Sequence, residues 1–242
     1  MKNSRQLIAT YEKVHSTKLV EDGIIDASGY HQSPYRILVI TKPVKSNLDT
    51  TLDGALHKML FDSIHNGQIT KYWRLTYNNL VVGLHALVSQ KINSNVHQGL
   101  HTLSHSAIIN IDKSVQRNQR EPTSLYNQFK LQRPIIKAQI KELKPNIIIC
   151  TGTYSLVEAL LDEIYHLSNF QKERIPETNR VFWRGDPLII DYFHPKYCIS
   201  AEEYARGLLF AYKYWTLLKN DQTPPAHYRK PKNRKSCRKL SL

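Results

Sequence analysis

Cysteine is scarce in this chain of 242 residues, and its scarcity excludes several kinds of site. The three cysteines, Cys150, Cys198 and Cys237, lack the paired spacing of a zinc ribbon or a disulfide framework. No apolar run is long enough to span a bilayer, and no signal-peptide segment follows the first residues. We therefore expect a cytoplasmic protein without a membrane segment.

Acidic residues are few relative to basic ones. The chain carries 34 lysines and arginines against 20 acidic residues, which gives a net charge of +14 at pH 7. Prolines and crowded basic residues after position 221 predict one domain over 1–221 and a disordered cationic tail over 222–242. Such a tail would bind phosphates without regard to sequence, so a polyanionic partner such as DNA is expected. The alternative is a charge that serves solubility alone.

Four short apolar runs alternate with helical patterns along the chain. The runs lie at 35–41, 106–111, 147–150 and 188–193, and they are rich in β-branched residues. This alternation predicts an α/β protein, specifically a three-layer α/β/α sandwich with a short, mainly four-stranded parallel sheet. Helices are expected near 4–20, 52–65, 78–91, 124–143 with an interruption or kink at Pro134, 156–167 and 201–218.

Polar residues follow each predicted strand, where α/β proteins bind their ligands. They are Asn110 after the second strand, Gly152 after the third and His194 after the fourth. Because parallel strands present their carboxyl ends at one sheet edge, Asn110 and His194 are expected to converge on one pocket. The first strand is not followed by a G-x-G-x-x-G loop, which argues against a nucleotide-binding enzyme such as a methyltransferase.

Three segments in this order resemble the uracil-DNA glycosylase superfamily, over roughly residues 35–215. Ser-Ala-Ile-Ile-Asn-Ile-Asp-Lys at 106–113, with Arg-Glu-Pro at 120–122, is similar to the family's pyrimidine-reading strand and the loop after it. Residues 134–152 resemble its next helix and strand, and His194-Pro195 resembles its histidine-proline motif. The resemblance implies an enzyme that flips a pyrimidine out of DNA and hydrolyses its N-glycosidic bond without a cofactor. The iron–sulfur cluster of some branches is excluded, because it needs four cysteines.

The resemblance assigns roles to two residues. The Asn110 amide offers a donor and an acceptor, so it could pair with the N3/O4 edge of uracil or, turned over, with the N3/N4 edge of cytosine. His194 would donate to the base O2 and stabilise the charge that develops on the leaving base. The structural alternatives are an asparagine that satisfies a turn and a histidine that caps one.

The first strand departs from the family pattern. The residues that match its Gly–polar–acid–Pro motif are Ile40, Thr41, Lys42 and Pro43, so a lysine replaces the acid that orients water. Asp49 or Asp53 could supply the carboxylate instead, or could only cap a helix. Lys42 is expected to bind phosphate rather than to act as an amine nucleophile.

A second departure concerns the pocket wall. Thr41, Pro43 and Val44 would line the base pocket, and Val44 stands where classical uracil enzymes of the family have an aromatic residue. A smaller wall would admit a substituent at C5, which favours a modified cytosine or uracil, as in phage DNA, and a role in defence. The alternatives are an ordinary uracil-DNA glycosylase of repair and an inactive DNA-binding relative.

The remaining predictions concern DNA contacts and metals. Tyr197 or Ile199, after His194-Pro195, could fill the space that the flipped base leaves, or could simply pack on the last helix. No metal is predicted, because His97, His101 and His105 share a helical spacing without an acid partner. We expect a monomer without an obligatory protein partner, associated with the nucleoid. The expected phosphate contacts are Lys42, Arg117, Arg120, Arg184 and Lys196, and the alternative for each is a solvated surface charge.

Overall fold

A computed structural model describes residues 4–16, 19, 22–42, 60, 62, 64–67, 71–93, 95–114, 122–176, 178–195 and 199–219. Its helices include α1 (Ser4–His15), α2 (Ala27–Gln32), α3 (Lys71–Ser89), α4 (Val96–Gly99), α5 (Pro122–Leu143), α6 (Tyr154–Tyr165) and α7 (Ala201–Lys219). Its strands are β1 (Gly23–Ile24), β2 (Ile37–Thr41), β3 (Ser106–Asn110), β4 (Ile147–Thr151), β5 (Gln171–Arg174), β6 (Val181–Arg184) and β7 (Leu188–Tyr192).

Within the described residues the strands form one mixed sheet of seven, in the order β1-β3-β2-β4-β7-β6-β5. The four central strands, β3, β2, β4 and β7, run parallel to one another. β1 pairs antiparallel with β3, β6 pairs antiparallel with β7, and β5 pairs antiparallel with β6. The α/β class is confirmed, whereas the predicted mainly four-stranded sheet is wrong in number, because three further strands, joined through antiparallel pairings, extend its two edges.

The central strands form because their sequences are apolar on both sides. Apart from Asp191, every residue of β2, β3, β4 and β7 is buried. Successive side chains point to opposite faces of a sheet, so a strand that is buried throughout must be covered on both faces.

Helices cover the two faces of the central strands. Ile37 and Val39 belong to a hydrophobic cluster with side chains of α3 and α7. Leu38 and Ile40 belong to a second cluster with side chains of α5 and α6. Each buried aliphatic side chain of this kind contributes about 1.5–3 kcal/mol through the hydrophobic effect. Packing of the core therefore stabilises the sheet, and the register of the sheet determines the positions of the residues at the strand ends.

The predicted interruption of a helix at Pro134 is wrong, and two other predictions fall mostly or wholly on residues that the structure does not describe. Helix α5 runs without interruption from Pro122 to Leu143, with Pro134 inside it. Most of the predicted helix over 52–65, and the predicted tail over 222–242, lie outside the described residues. Among the helices of the described part, none is both long and apolar enough to cross a membrane.

Candidate active site

The four parallel strands end at the same level. Thr41, the last residue of β2, is in register with Asn110 on one side and with Thr151 on the other, and Thr151 is in register with Tyr192. Asn110 and Tyr192 are therefore separated by three inter-strand spacings, about 14 Å in all. His194 follows Tyr192 by two residues. Two hydrogen bonds would occupy about 6 Å of this span, which leaves the rest for a nucleobase and the side chains that reach it.

The end of β2 forms the middle of this edge. The Thr41 side chain is buried, and its hydroxyl donates to the carbonyl oxygen of Lys42 at 3.3 Å. The Thr41 carbonyl accepts from the backbone N–H of Ile111 at 3.0 Å, which holds β2 against the segment after β3. Lys42 is exposed, as a phosphate contact would be. The other residues predicted for this region, Pro43, Val44, Asp49 and Asp53, lie outside the described residues.

The turn after β4 packs against His194. Gly152 has a positive φ of +69°, a backbone conformation that is strained for residues with a side chain. Its N–H donates to the Tyr192 carbonyl at 2.8 Å. A Cβ built on Gly152 would lie 3.8 Å from both the Cβ and the backbone nitrogen of His194. This close approach places the backbone of His194 at the carboxyl end of β4, inside the row of strand ends.

Helix α7 holds the end of β7 from one face of the sheet. The Tyr204 hydroxyl donates to the carbonyl oxygen of Phe193 at 3.1 Å, and the Tyr192 hydroxyl donates to the carbonyl oxygen of Tyr204 at 3.0 Å. Burial raises the pKa of both phenols, so both remain protonated donors. The residue that precedes His194 is therefore fixed by a buried hydrogen bond, while the His194 side chain itself is half-buried.

Asn110 lies at the other end of the row, and its amide is held on one side. Its backbone N–H donates to Asp22 Oδ2 at 2.7 Å, and its side-chain Nδ2 lies 3.4 Å from the same oxygen. The Asn110 side chain is buried, with 5% of the residue exposed. Its Oδ1 is buried and has no hydrogen-bond partner within the described part of the chain. A buried acceptor without a partner costs free energy, which a ligand with a suitable donor would recover.

A buried ion pair supports Asn110. Lys113 Nζ contacts Asp22 Oδ1 and Oδ2 at 2.7 and 2.8 Å. The Lys113 side chain is 0% exposed and that of Asp22 is 3% exposed. Burial lowers the pKa of Lys113, and the neighbouring Asp22 charge opposes that shift. Gln139 Nε2 also donates to Asp22 Oδ1, at 3.1 Å.

Sequence reasoning missed this ion pair. Asp22 lies 91 residues before Lys113 in the chain, so no local pattern links the two. The weak signal was Lys113 itself, a charged residue three positions after Asn110 and close to the end of an apolar strand. Such a lysine is ordinarily exposed unless it is paired.

The predicted DNA contacts are only partly placed. Ile199 is half-buried and packs against the cluster that includes α3 and α7, and its carbonyl oxygen accepts from Asn79 Nδ2 at 3.3 Å. This contact matches the packing alternative for Ile199 rather than an exposed wedge. Arg184 lies in β6 and pairs with Glu173 on β5, with Nη2 3.4 Å from Oε1. The remaining predicted contacts, Arg117, Arg120, Lys196 and Tyr197, lie outside the described residues.

His85 on α3 packs against His101. The rings of His85 and His101 meet edge to face, with centroids 5.8 Å apart. Burial lowers the pKa of His85 and of His105, and a charge on His101 would lower both further. In the described part of the chain, no group of three or more histidine, cysteine, aspartate or glutamate side chains could hold a metal ion.

Comparison with known proteins adds no assignment. No protein-family model matches the chain, and no curated protein matches it. The described geometry is that of an α/β protein in which four parallel strands end at one edge of the sheet. The Asn110 amide lies at one end of this edge, and His194 follows the strand at the other end. Any family assignment depends on the sequence motifs and on this geometry.

Proposed function

We propose that this protein is a DNA glycosylase of the uracil-DNA glycosylase type, built as a three-layer α/β/α sandwich around four parallel strands. It flips a pyrimidine out of DNA and hydrolyses its N-glycosidic bond to leave an abasic site. The observation that carries the proposal is the order β3-β2-β4-β7, which brings Asn110, Thr41 and His194 to one sheet edge. These are three of the residues that the sequence motifs single out.

Asn110 reads the base in this proposal. A flipped pyrimidine offers donors and acceptors on its Watson–Crick edge, and an amide matches them in pairs. The buried Oδ1 of Asn110, which has no partner among the described residues, supports this role, because a base N–H would satisfy it.

His194 stabilises the leaving base. The bond to the sugar breaks as the base takes up negative charge, and a neutral imidazole that donates to O2 stabilises that charge in the transition state. The hydrogen bond from Tyr204 to the preceding carbonyl supports this role, because a pre-positioned donor does not have to be reorganised during the reaction.

Residues after β2 in the sequence supply the remaining groups that the reaction needs. Asp49 or Asp53 orients the attacking water and offsets the positive charge that develops on the sugar, in place of the acid that Lys42 replaces. Val44 leaves room for a substituent at C5, so a modified cytosine or uracil of phage type is preferred to plain uracil. Excision of such bases would leave abasic sites in foreign DNA, which suits a role in defence better than routine repair.

DNA binding depends on charge. The net charge of +14 attracts the phosphate backbone, and Lys42 is exposed beside the site. Arg117, Arg120 and Lys196 add phosphate contacts, and Tyr197 fills the vacated stack. Binding should weaken steeply with salt.

A second candidate is a DNA-binding relative without activity. The exposed Lys42 in the place of the family's acid favours it, because that acid activates water. Such a protein would keep the positive charge and the base pocket but would leave DNA intact.

The test is incubation with DNAs that carry uracil, cytosine and their C5-hydroxymethylated and glucosylated forms. Released bases are measured by mass spectrometry, and abasic sites by alkaline cleavage. We expect release of a C5-modified pyrimidine to exceed that of uracil. DNA binding without any released base would support the inactive relative and overturn the glycosylase.

Two substitutions locate the activity. Asn110→Ala and His194→Ala should each reduce single-turnover excision about 100-fold or more. Asn169→Ala and His97→Ala are matched controls, because both residues are exposed away from the strand ends. Excision by Asn110→Ala or His194→Ala at the rate of these controls would place the active site elsewhere.

A further inference from the structure

We propose that Asp22 is a positioning residue that fixes which way the Asn110 amide faces, and so makes the site read either 4-keto or 4-amino pyrimidines but not both. This inference rests on the proposed function, and it goes beyond that function by assigning the source of base selectivity. The sequence alone left both classes open, because a free amide can turn over and match either edge.

The contacts of Asn110 with Asp22 allow one amide orientation. Asp22 Oδ2 already accepts the Asn110 backbone N–H at 2.7 Å, and Asn110 Nδ2 lies 3.4 Å from the same oxygen. If the amide turned over, its Oδ1 would take the place of Nδ2 beside a carboxylate oxygen. An ionised carboxylate has only acceptors, so the two oxygens would repel each other. The amide is therefore held with Nδ2 toward Asp22 and Oδ1 away from it.

Asp22 cannot move aside to relieve this constraint. Lys113 Nζ holds both of its oxygens, and Gln139 Nε2 holds Oδ1. Lys113 is itself anchored, because its backbone N–H donates to Gln132 Oε1 at 2.7 Å. Both Asp22 oxygens already accept hydrogen bonds, Oδ1 from Lys113 and Gln139 and Oδ2 from Lys113 and the Asn110 backbone. The carboxylate thus acts as a fixed reference for the amide.

The fixed amide imposes an order of donor and acceptor on the base. A 4-keto pyrimidine presents an N3–H donor beside a 4-oxygen acceptor, whereas a 4-amino pyrimidine presents an N3 acceptor beside an amino donor. The two orders are reversed, and one amide orientation matches only one of them. A site that is built to hydrogen-bond one edge rejects the mismatched edge strongly, because buried polar groups are then left unpaired.

The test compares DNAs that differ only at position 4 of the target base: uracil against cytosine, and 5-hydroxymethyluracil against 5-hydroxymethylcytosine. The variant is Asp22→Asn/Lys113→Met. An asparagine at 22 can face Asn110 with either its oxygen or its nitrogen, and removal of both charges leaves neither member of this ion pair as an unpaired buried ion. The wild type should discriminate within the preferred pair by about 100-fold or more in kcat/KM, and the variant by less than about 10-fold. The ratio does not depend on the folded fraction, because both substrates meet the same preparation.

A matched control removes a different ion pair, which lies away from the site. Arg133 on α5 pairs with Glu163 on α6 at 2.6 Å, near the surface. Arg133→Met/Glu163→Gln should keep the wild-type ratio. If this control lost discrimination as the Asp22 variant does, or if the Asp22 variant kept the wild-type ratio, the role of Asp22 would be refuted.

A second measurement does not depend on catalysis. In 15N-labelled protein, the side-chain amide signal of Asn110 is identified by its loss in Asn110→Asp. We expect this signal to exchange slowly with solvent in the wild type, and to shift and exchange faster in Asp22→Asn/Lys113→Met. An unchanged signal would overturn the inference. If the wild type released no base from any DNA, the proposed function would fail, while the NMR measurement would still decide whether Asp22 orients the amide.

Discussion

Replacement of Lys113 by methionine tests whether the ion pair beneath Asn110 is as buried as the structure has it. Lys113→Met keeps the length and packing of the side chain but removes the ammonium that contacts both oxygens of Asp22. Asp22, with only 3% of its side chain exposed, would then be a buried charge held by neutral donors alone. Loss of one partner from a buried ion pair costs about 3–5 kcal/mol of folding free energy.

Urea unfolding and thermal melting measure this cost. For a domain of this size, 3–5 kcal/mol corresponds to a fall of roughly 6–20 °C in melting temperature. Asp22→Asn/Lys113→Met should regain most of the loss, because a neutral pair needs no ionic partner. Lys137→Met is the control, since Lys137 pairs with Glu163 near the surface, where solvent screens the charges and loss of the pair costs little stability. If Lys113→Met were no more destabilising than Lys137→Met, Asp22 would have access to solvent and the argument would be wrong.

Three further changes probe the supports of the site and its surroundings. Tyr204→Phe removes the donor to the Phe193 carbonyl and should cost about 1–3 kcal/mol in urea unfolding, with slower single-turnover excision; an unchanged rate would show that this hydrogen bond does not position the site. Gly207→Ala would place a methyl group 2.0 Å from the Tyr192 hydroxyl and should cost about 1–3 kcal/mol, so a wild-type melting temperature would contradict this packing. Burial lowers the pKa of His85, so its contribution to stability is complete above pH 6.5 and falls as the pH drops below it; His85→Gln should flatten that decline in thermal melts, and an unchanged slope would assign it to other groups.

The parallel core was predictable because burial on both faces leaves a plain signature. The strand predicted at 147–150 corresponds to β4, Ile147–Thr151, and the strand predicted at 188–193 corresponds to β7, Leu188–Tyr192. Continuous apolar residues in short runs between helices can be satisfied in few ways other than a covered parallel sheet. Strand ends could therefore be located to within a residue, and with them Asn110 and His194.

The edge strands were not predictable for the opposite reason. β5, Gln171–Arg174, is mostly exposed and carries three charged residues, so its sequence has no apolar alternation. It is a strand because β6 offers backbone partners, a fact of tertiary structure. β1 has only two residues, too few for any periodicity. Its importance comes from the residue before it, Asp22, which the pairing of β1 with β3 brings beside Asn110.

The two ends of the proposed site have separate supports, and this separation shapes how the site would work. Asn110 is held by an ionic cluster that joins β1, β3 and α5, whereas the residue before His194 is held by hydroxyl groups that join β7 and α7. The two supports share no residue and lie across three inter-strand spacings, about 14 Å. Perturbations at such a distance act independently, and their free energies add. Base selectivity can therefore change through the ionic cluster without altering the support of the leaving-group histidine, which would let one catalytic end serve different modified pyrimidines.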